Sequence, residues 1–431
     1  MGHPFLRDGV DFWDFVMVIV MVVAAFAICL VATMFMVWYE RKVVSRLQNR
    51  IGPNVAGPFG LLQTLADGTK LFMKEDIIPT KADRFVFQLA PYLSLVPAFL
   101  TFTLIPIAGN FGEGGTGSST IGGREFYWQV ADVPVGILFF LAMSSIGIYG
   151  VMLAGWSSGS KYPLLGSIRA TAQAISYEAA LGLALAAVIM VAGSLSTHQI
   201  VANQVGGIAN WHLVATGVIP FVVFLIAGTA ELNRPPFDLV EAEQELVGGF
   251  HTEYSSIRFA LFFLAEFMNT VTMSAIMVTL FFGGPSPLFD IPFTDVSLGA
   301  FGGLLWFLFK LNFFLFTFVW FRATLPRLRY DQLMDLGWKL LIPLSLGWLL
   351  VLGAIRISQD GNLGITDDTV ADTLIAIIVA IIGLGIGASL VVKASKNARQ
   401  DRLDAAGLSV VPTLTGATTA GAAGPAKGAD H

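Results

Sequence analysis

The segment AELNRPPFDLVEAEQELVGGFHTEYSS, residues 230–256, places six carboxylates between two long apolar runs that contain almost no charge. Its one cation is Arg234, so most of these carboxylates cannot be neutralised by an ion pair within the segment. Apolar runs of about 20 residues are long enough to cross the hydrocarbon core of a bilayer as helices. Such runs on both sides of a charged segment predict an integral membrane protein.

The composition predicts the same class. Hydrophobic residues make up 55% of the 431 residues and charged residues 13%, with a mean hydropathy of +0.72. A soluble domain of this length is far less apolar. We therefore predict an all-α integral membrane protein with nine spans, at residues 12–38, 86–108, 134–156, 172–194, 213–231, 257–282, 300–321, 338–356 and 370–392.

The basic residues predict the orientation of these spans. Most of the 25 Lys and Arg lie in residues 40–84, in the loops after spans 3, 5 and 7, and after span 9. The positive-inside rule puts these segments in the cytoplasm and the N-terminus outside. The prediction is a membrane domain at residues 1–393, with cytoplasmic loops at 39–85, 157–171 and 232–256, and a cytoplasmic tail at 394–431.

Two Gly-rich segments predict little regular structure. The tail from residue 394 is rich in Gly, Ala, Thr and Pro and has few large apolar residues, so we expect it to be disordered. The outer loop FGEGGTGSSTIGGRE, residues 111–125, is expected to be flexible for a similar reason.

Cysteine and histidine usage argues against several cofactors. The single cysteine, Cys29, lies within the first span, so the chain alone can neither ligate an iron–sulfur cluster nor form an internal disulfide. A small buried core residue is the simplest interpretation of Cys29. The five histidines show no close pair at helix-face spacing, so we expect no protein-bound metal or haem.

The longest cytoplasmic loop, residues 40–84, combines a basic start with the turn sequence GPNVAGPFG. Apolar residues then recur at close to helical spacing, which predicts an amphipathic interfacial helix. The basic residues near Glu40 have two interpretations: they set topology and contact lipid headgroups, or they work with Glu40 to orient a polar headgroup.

Three ionisable residues lie within or at the edge of predicted spans: Glu178, Glu266 and Lys310. Ionisable residues at such depth are costly and commonly face a protein interior or a water-filled path. The alternative is a carboxyl group bonded to a neighbouring helix without a transport role. Lys310 is expected to be a counterion to one of the two glutamates, and Arg169 is expected near the start of span 4.

The acidic loop itself is predicted to store or relay protons. If LVEAEQELVG is helical, Glu241 and Glu245 share one face and Glu243 is displaced around the helix. Desolvation and mutual repulsion both raise carboxylate pKa values, which allows such a cluster to hold protons near neutral pH. A solvated acidic loop is the alternative, but the many apolar residues around the acids predict that the loop packs into the protein.

Three motifs carry a family resemblance: ERKVVSRLQNRIGPNVAGPFGLLQTLADGTKLFMKED (residues 40–76), the segment 230–256, and the ISYE sequence that ends at Glu178. Over about residues 12–356 the chain resembles the H-type membrane subunits of bacterial respiratory complex I, the proton-translocating NADH:quinone oxidoreductase. That family has an eight-helix core, so the ninth predicted span and the tail are additions with no role assigned.

The resemblance implies a membrane subunit that lines the quinone chamber and couples quinone reduction to proton translocation. The chamber residues it implies are Glu40, Arg41, Arg50, Asp67, Arg234, Phe237 and Asp238. The proton-path residues it implies are Glu178, Glu231, Glu241, Glu243, Glu245, Glu253 and Glu266.

The resemblance also implies the setting of the chain. Quinone is the substrate, and the iron–sulfur clusters and FMN are held by partner subunits, so the chain is not catalytic alone. Expected partners are the hydrophilic quinone-site and iron–sulfur subunits, small membrane subunits, antiporter-like subunits and membrane lipids, with no nucleic acid. The expected location is the bacterial plasma membrane.

Two other function classes stay open from the residues alone. An independent proton-coupled transporter would normally show paired inverted repeats around a midplane site, and no full-chain duplication is visible. A structural anchor for a soluble redox module, including the related membrane-bound hydrogenases, would not require acids at the depth of Glu178 and Glu266. A hydrogenase assembly would keep many of the same acids, and its electron donor would distinguish it.

Overall fold

The computed structural model describes residues 12–109, 111, 117–121, 124–239, 246–288 and 300–360. The predicted ninth span, the tail and the middle of the acidic loop lie outside the described residues. What is described is a bundle of long helices, with one short hairpin and several single-turn segments.

The helices follow the predicted spans closely. Seven stretches of the described chain are long and apolar enough to cross a membrane, and a shorter apolar helix corresponds to predicted span 5. In chain order the helices are α1 Phe12–Leu47, α2 Gln63–Met73, α3 Arg84–Phe102, α4 Gly136–Ser157, α5 Lys161–Ala192, α6 Thr197–Ala202, α7 His212–Ala215, α8 Val218–Glu231, α9 Ser256–Phe281, α10 Ala300–Thr324, α11 Tyr330–Asp335 and α12 Ile342–Asp360. A π-helical segment, Leu336–Leu341, joins α11 to α12.

Two helices extend further into the cytoplasmic loops than predicted. Helix α1 continues from residue 38 to Leu47, because no Gly or Pro interrupts the sequence until Gly52. Helix α5 begins at Lys161 rather than at 172, and its Pro163 lies in the first turn, where proline is tolerated. As a result Glu40, Arg41 and Arg169 lie on helices rather than in loops or at a span start.

Predicted span 5 is divided into two helices. Helix α7 ends at Ala215, and α8 begins after Gly217, which has a φ of 76°. Glycine adopts this left-handed conformation without steric cost, so the chain can change direction there.

Part of the outer loop that is expected to be flexible forms a short hairpin. Strand β1, Ser118–Ile121, pairs antiparallel with β2, Arg124–Tyr127, with Ser118 opposite Tyr127. The sequences SSTI and REFY contain β-branched and aromatic residues that favour extended backbone. The Gly-rich composition of the whole loop concealed these two short strands.

Helices α3 and α4 approach each other closely. Asp83 caps the start of α3 by accepting hydrogen bonds from the backbone N–H groups of Phe85 and Val86. On α4, a Cβ atom added to Gly150 would lie 2.7 Å from the backbone nitrogen of Ser94. Glycine at position 150 therefore sets the close packing of these helices.

Helix α9 forms the centre of the bundle. In its most apolar window 72% of the residues are buried, compared with 11% in α1. Helix α9 contacts α1, α2, α3 and α10. Side chains on α9 are therefore placed to meet groups from several other helices.

Candidate functional site

A chain of ion pairs connects α1, α9 and α10. Glu40 of α1 is 6% exposed and pairs with both Arg234 and Arg322, each through one carboxylate oxygen. Arg234 is 3% exposed, and its Nε lies 3.1 Å from Oε1 of Glu266 on α9. The guanidinium group of Arg234 also lies 4.4 Å from the ring centroid of Phe267. The order Arg322, Glu40, Arg234, Glu266 forms a continuous network of alternating charge.

The position of Arg234 follows from the way α8 ends. Asn233 adopts a left-handed φ of 51°, a conformation that asparagine tolerates better than most residues. The chain then turns, and the N–H of Arg234 donates to the carbonyl oxygen of Thr229 at 3.3 Å. This turn directs Arg234 back toward α1 and α9.

Gln173 of α5 fixes the same turn. Its buried Nε2 donates to the carbonyl oxygens of Ala230 and Phe237, at 2.7 and 2.8 Å. Phe237 is buried and lies 5.5 Å from the ring of Tyr177. The first part of the acidic loop therefore packs into the protein, as predicted.

A second charged pair connects α1 to the amphipathic helix. Nη1 of Arg41 lies 2.6 Å from Oδ2 of Asp67, and Lys70 lies 3.6 Å from the same carboxylate. Partial burial raises the pKa of Asp67, but the combined effects of Arg41, Lys70 and Gln63 are larger and leave this pKa below its usual value. The prediction of a helix here is confirmed, and it has no buried residue: Leu65 and Phe72 are exposed.

Two adjacent serines hold two of the predicted proton-path carboxylates. On α4, Ser144 donates to Glu231 at the end of α8, and Ser145 donates to Glu178 on α5. Neither glutamate forms an ion pair with a cation among the described residues. The serines therefore bond Glu231 and Glu178 to the same turn of α4.

A cavity of about 120 Å³ lies between α3, α4, α5 and α9. Glu231 and Glu266 both line it, together with His251. Five lining side chains have a buried oxygen atom with no hydrogen-bond partner among the described residues: Ser94, Thr171, Glu231, Asn233 and Thr272. Buried polar atoms in proteins are nearly always hydrogen-bonded, and a polar cavity of this volume has room for several water molecules.

Lys310 is not a counterion to either intramembrane glutamate, and that expectation is wrong. Its Nζ donates to the carbonyl oxygens of Phe282, Gly284 and Ser286, at 2.7, 3.0 and 2.6 Å. Its Nζ also lies 5.0 Å from the ring centroid of Trp211. These carbonyls follow the C-terminal end of α9, so backbone acceptors hold Lys310 in place of a carboxylate.

Several predicted site residues lie apart from the network and the cavity. Arg50 is exposed, and its side chain donates to Gln48 at 2.7 Å. Glu253 is partly buried but does not line the cavity, and Asp238 is partly buried next to Phe237. Glu241, Glu243 and Glu245 lie outside the described residues.

Sequence reasoning missed Arg322, Gln173 and the two serines. Arg322 is one of the basic residues after span 7 that predict orientation, and it lies at the end of an apolar run, as Glu40 does. A Ser-Ser pair within the apolar run of α4 and a glutamine within α5 were available signals, since polar side chains in membrane helices commonly bond to neighbouring helices. In the part of the chain that the structure describes, no group of three His, Cys, Asp or Glu could hold a metal ion.

Comparisons with known proteins identify relatives of this chain. The NADH dehydrogenase family matches residues 18–353. A relative from Frankia casuarinae, an NADH-quinone oxidoreductase subunit of the H type, is 52% identical over 357 residues, which cover 83% of this chain and 75% of the relative. The H-type subunits of Frankia alni and Streptomyces avermitilis are 54% and 47% identical, over 78% and 81% of this chain and 72% and 76% of their own lengths.

Proposed function

Because the chain belongs to the NADH dehydrogenase family, as a membrane subunit of NADH-quinone oxidoreductase of the H type, we propose that it lines the quinone chamber and couples quinone reduction to proton translocation. The observation that carries this proposal is the ion-paired network. One of its ends is the partly exposed Arg322, and the other is Glu266, on the wall of the cavity that also contains Glu231.

The chamber is assigned to the cytoplasmic ends of α1, α9 and α10 together with α2. Glu40, Arg234 and Arg322 supply a charged wall there, and Arg41 and Asp67 fix α2 beside it. The exposed apolar residues of α2 and of neighbouring α1 are suited to the isoprenoid tail of a quinone or to lipid. Arg50, Phe237 and Asp238 remain predicted members of this chamber.

Electrostatics provides the coupling between the chamber and the cavity. Reduction of quinone adds electrons to the headgroup and consumes protons near Glu40, Arg234 and Arg322. Arg234 contacts both Glu40 and Glu266, so a change in its pairing with one carboxylate alters the charge balance at the other. Protons then redistribute among Glu266, Glu231 and Glu178.

Water in the cavity completes this path. The five unpartnered oxygens on its wall would each gain a hydrogen-bond partner from water. Such water would connect Glu266 of α9 to Glu231 of α8. The adjacent residues Ser144 and Ser145, which bond to Glu231 and Glu178, connect these two carboxylates. The loop acids Glu241, Glu243, Glu245 and Glu253 are assigned to the same path upstream of the cavity.

The electrons come from partner subunits in this proposal. The hydrophilic quinone-site and iron–sulfur subunits would supply the clusters and FMN, and antiporter-like and small membrane subunits would continue the proton path. The assembly lies in the bacterial plasma membrane, with the N-terminus outside and the main loops and tail cytoplasmic. The concentration of basic residues on one side of the spans supports this orientation.

The central test replaces Glu231 and Glu266 separately by glutamine in the assembled complex. We expect NADH oxidation with ferricyanide, which bypasses quinone, to stay at the wild-type level. Proton translocation driven by NADH and quinone should fall about tenfold or more in each variant. Wild-type translocation in both variants would refute the carboxylate path.

The orientation has its own test. Cys29 is buried, so a cysteine introduced at an exposed position gives one accessible thiol. K74C and R356C lie on opposite predicted sides of the membrane. A membrane-impermeant maleimide applied to intact cells should label R356C and not K74C, and the reverse result would invert the assignment.

A further inference from the structure

His251 lies at the edge of the carboxylate cavity, in the single turn Gly249–His251 before α9. This turn is held tightly against α5: a Cβ atom added to Gly166 would lie 2.8 Å from the Cα atom of Gly249. The position of the imidazole ring is therefore set by the packing of the turn and not by a charged partner.

One side of the imidazole ring is apolar. Its centroid lies 3.8 Å from that of Phe250, and it makes edge contacts of 5.5 Å with Phe259 and Phe262. His251 also lines the cavity that contains Glu231 and Glu266. No side-chain hydrogen bond joins a ring nitrogen of His251 to another described residue, so a nitrogen that reaches the cavity is available to water there.

Among the described residues, no ion pair includes the imidazole ring of His251. Helix α4, which packs on the turn, has no ionisable residue except Tyr149, while α5 carries Arg169 and Glu178. On the α9 side, Arg258 pairs with Asp76 at 3.1 Å, and Glu266 pairs with Arg234. The neighbours within the segment are Glu253 and Tyr254.

Burial lowers the pKa of His251 to about 4, so the ring is neutral at physiological pH. A neutral imidazole carries one N–H donor and one acceptor nitrogen. Such a ring can accept a proton on one side and release one on the other with no net change in charge.

We propose that His251 relays protons between the acidic loop and the cavity carboxylates. A proton from water binds the unprotonated ring nitrogen, and the proton on the other nitrogen leaves toward water bonded to Glu231 or Glu266. The ring returns to its first tautomer by rotation, since the reverse exchange would carry the proton back. The inference rests on the proposed proton path and adds a residue that is neither acidic nor within a span.

The test uses three variants of the assembled complex. H251F keeps an aromatic ring against Phe250 and removes both nitrogens, H251Q keeps a polar side chain that does not exchange protons in this way, and H251A leaves space for added imidazole. We expect each complex to retain ferricyanide reduction by NADH and to lose about tenfold in quinone-linked proton translocation. Added imidazole should restore translocation in H251A and not in E266Q.

Each outcome decides the inference. Wild-type translocation in H251F or H251Q would overturn it, and so would an impaired H251A complex that imidazole does not rescue. If H251F fails to assemble, H251Q decides, and failure of H251Q to assemble would assign the residue a structural role instead. Normal translocation in E231Q and E266Q would refute the proposed path itself, whereas impaired glutamate variants beside normal His251 variants would refute the relay alone.

Discussion

The molecule contains two groups of buried or partly buried carboxylates with opposite surroundings. Glu40 and Glu266 are paired with arginines, whereas Glu231 and Glu178 accept hydrogen bonds from serines and have no cation partner among the described residues. A carboxylate within ion pairs holds a charge in place, because a change in its charge breaks the pairs. A carboxylate bonded only to a hydroxyl group can change its charge without that cost. In the proposed function the ion-paired group responds to quinone and the serine-bonded group carries protons, with Glu266 linking the two.

The largest effect is expected from R234M, because it removes the cation shared by the ion-paired group. Breaking a buried ion pair costs about 3–5 kcal/mol, and here two carboxylates lose a partner. The amount of assembled complex on a native gel and its quinone reductase activity should both fall steeply. R356M is the matched control, because Arg356 is exposed and makes no ion pair with a described residue. Normal assembly and activity of R234M would contradict the importance of the pairing.

The serine-bonded group is tested by S144A. The substitution leaves both carboxylate oxygens of Glu231 without a partner among the described side chains, since Oε2 already has none. A hydrogen bond to a charged group contributes about 1.5–3 kcal/mol, so proton translocation should fall by roughly tenfold while ferricyanide reduction stays normal. T317A provides the control, since Thr317 bonds only within its own helix. Equal translocation in S144A and T317A would remove Ser144 from the path.

A smaller effect is expected from R322M. Glu40 keeps Arg234, and the Arg322 side chain is 39% exposed, so water can replace part of the lost contact. The loss should be about 1 kcal/mol, appearing as a several-fold higher KM for quinone with nearly unchanged assembly. An effect on assembly as large as that of R234M would mean that the two arginines are equivalent.

The two groups of carboxylates and their partners could be predicted only in part from the sequence. Apolar runs fixed the approximate spans, and depth alone identified Glu178 and Glu266 as unusual. The partners were not predictable, because a pairing such as Glu40 with Arg234 and Arg322 joins residues that are far apart in the chain. Lys310 shows the same difficulty: its charge suggested a carboxylate partner, but backbone carbonyls at the end of α9 hold it.

Local sequence patterns also did not predict the end of α1 or the cavity. Helix α1 continues past the apolar run because hydrophobicity marks the bilayer and not the helix end, so Glu40 and Arg41 were assigned to a loop. The cavity depends on the packing of four helices, and the sequence carries no direct sign of it. The amphipathic helix was predicted correctly, since its spacing is encoded within a few residues.

The smallest effect is expected from D67N, in the separate ion pair between α1 and α2. The pKa of Asp67 is lower in the folded chain than its ordinary value of 3.8, so the pair with Arg41 stabilises the fold above that pH and is lost as the pH falls through the folded pKa. Because Arg41 is 43% exposed, the gain should be below about 1 kcal/mol and weaker in high salt.

Hydrogen exchange in α2 measures this contribution. At neutral pH, D67N should exchange slightly faster than wild type in residues 63–73, and the difference should shrink below pH 4 and in concentrated salt. D331N is the control, because Asp331 pairs with Arg329 at a more exposed position. Unchanged exchange in D67N at low salt would show that apolar contacts alone hold α2.

The adjacent serines of α4 have a mechanical consequence. Neighbouring residues on an α-helix point about 100° apart, so Ser144 and Ser145 face different helices from one rigid backbone. A rotation of α4 about its axis cannot alter the contact to Glu231 without also altering the contact to Glu178. The rotation angle of α4 therefore sets the serine contacts of both carboxylates together.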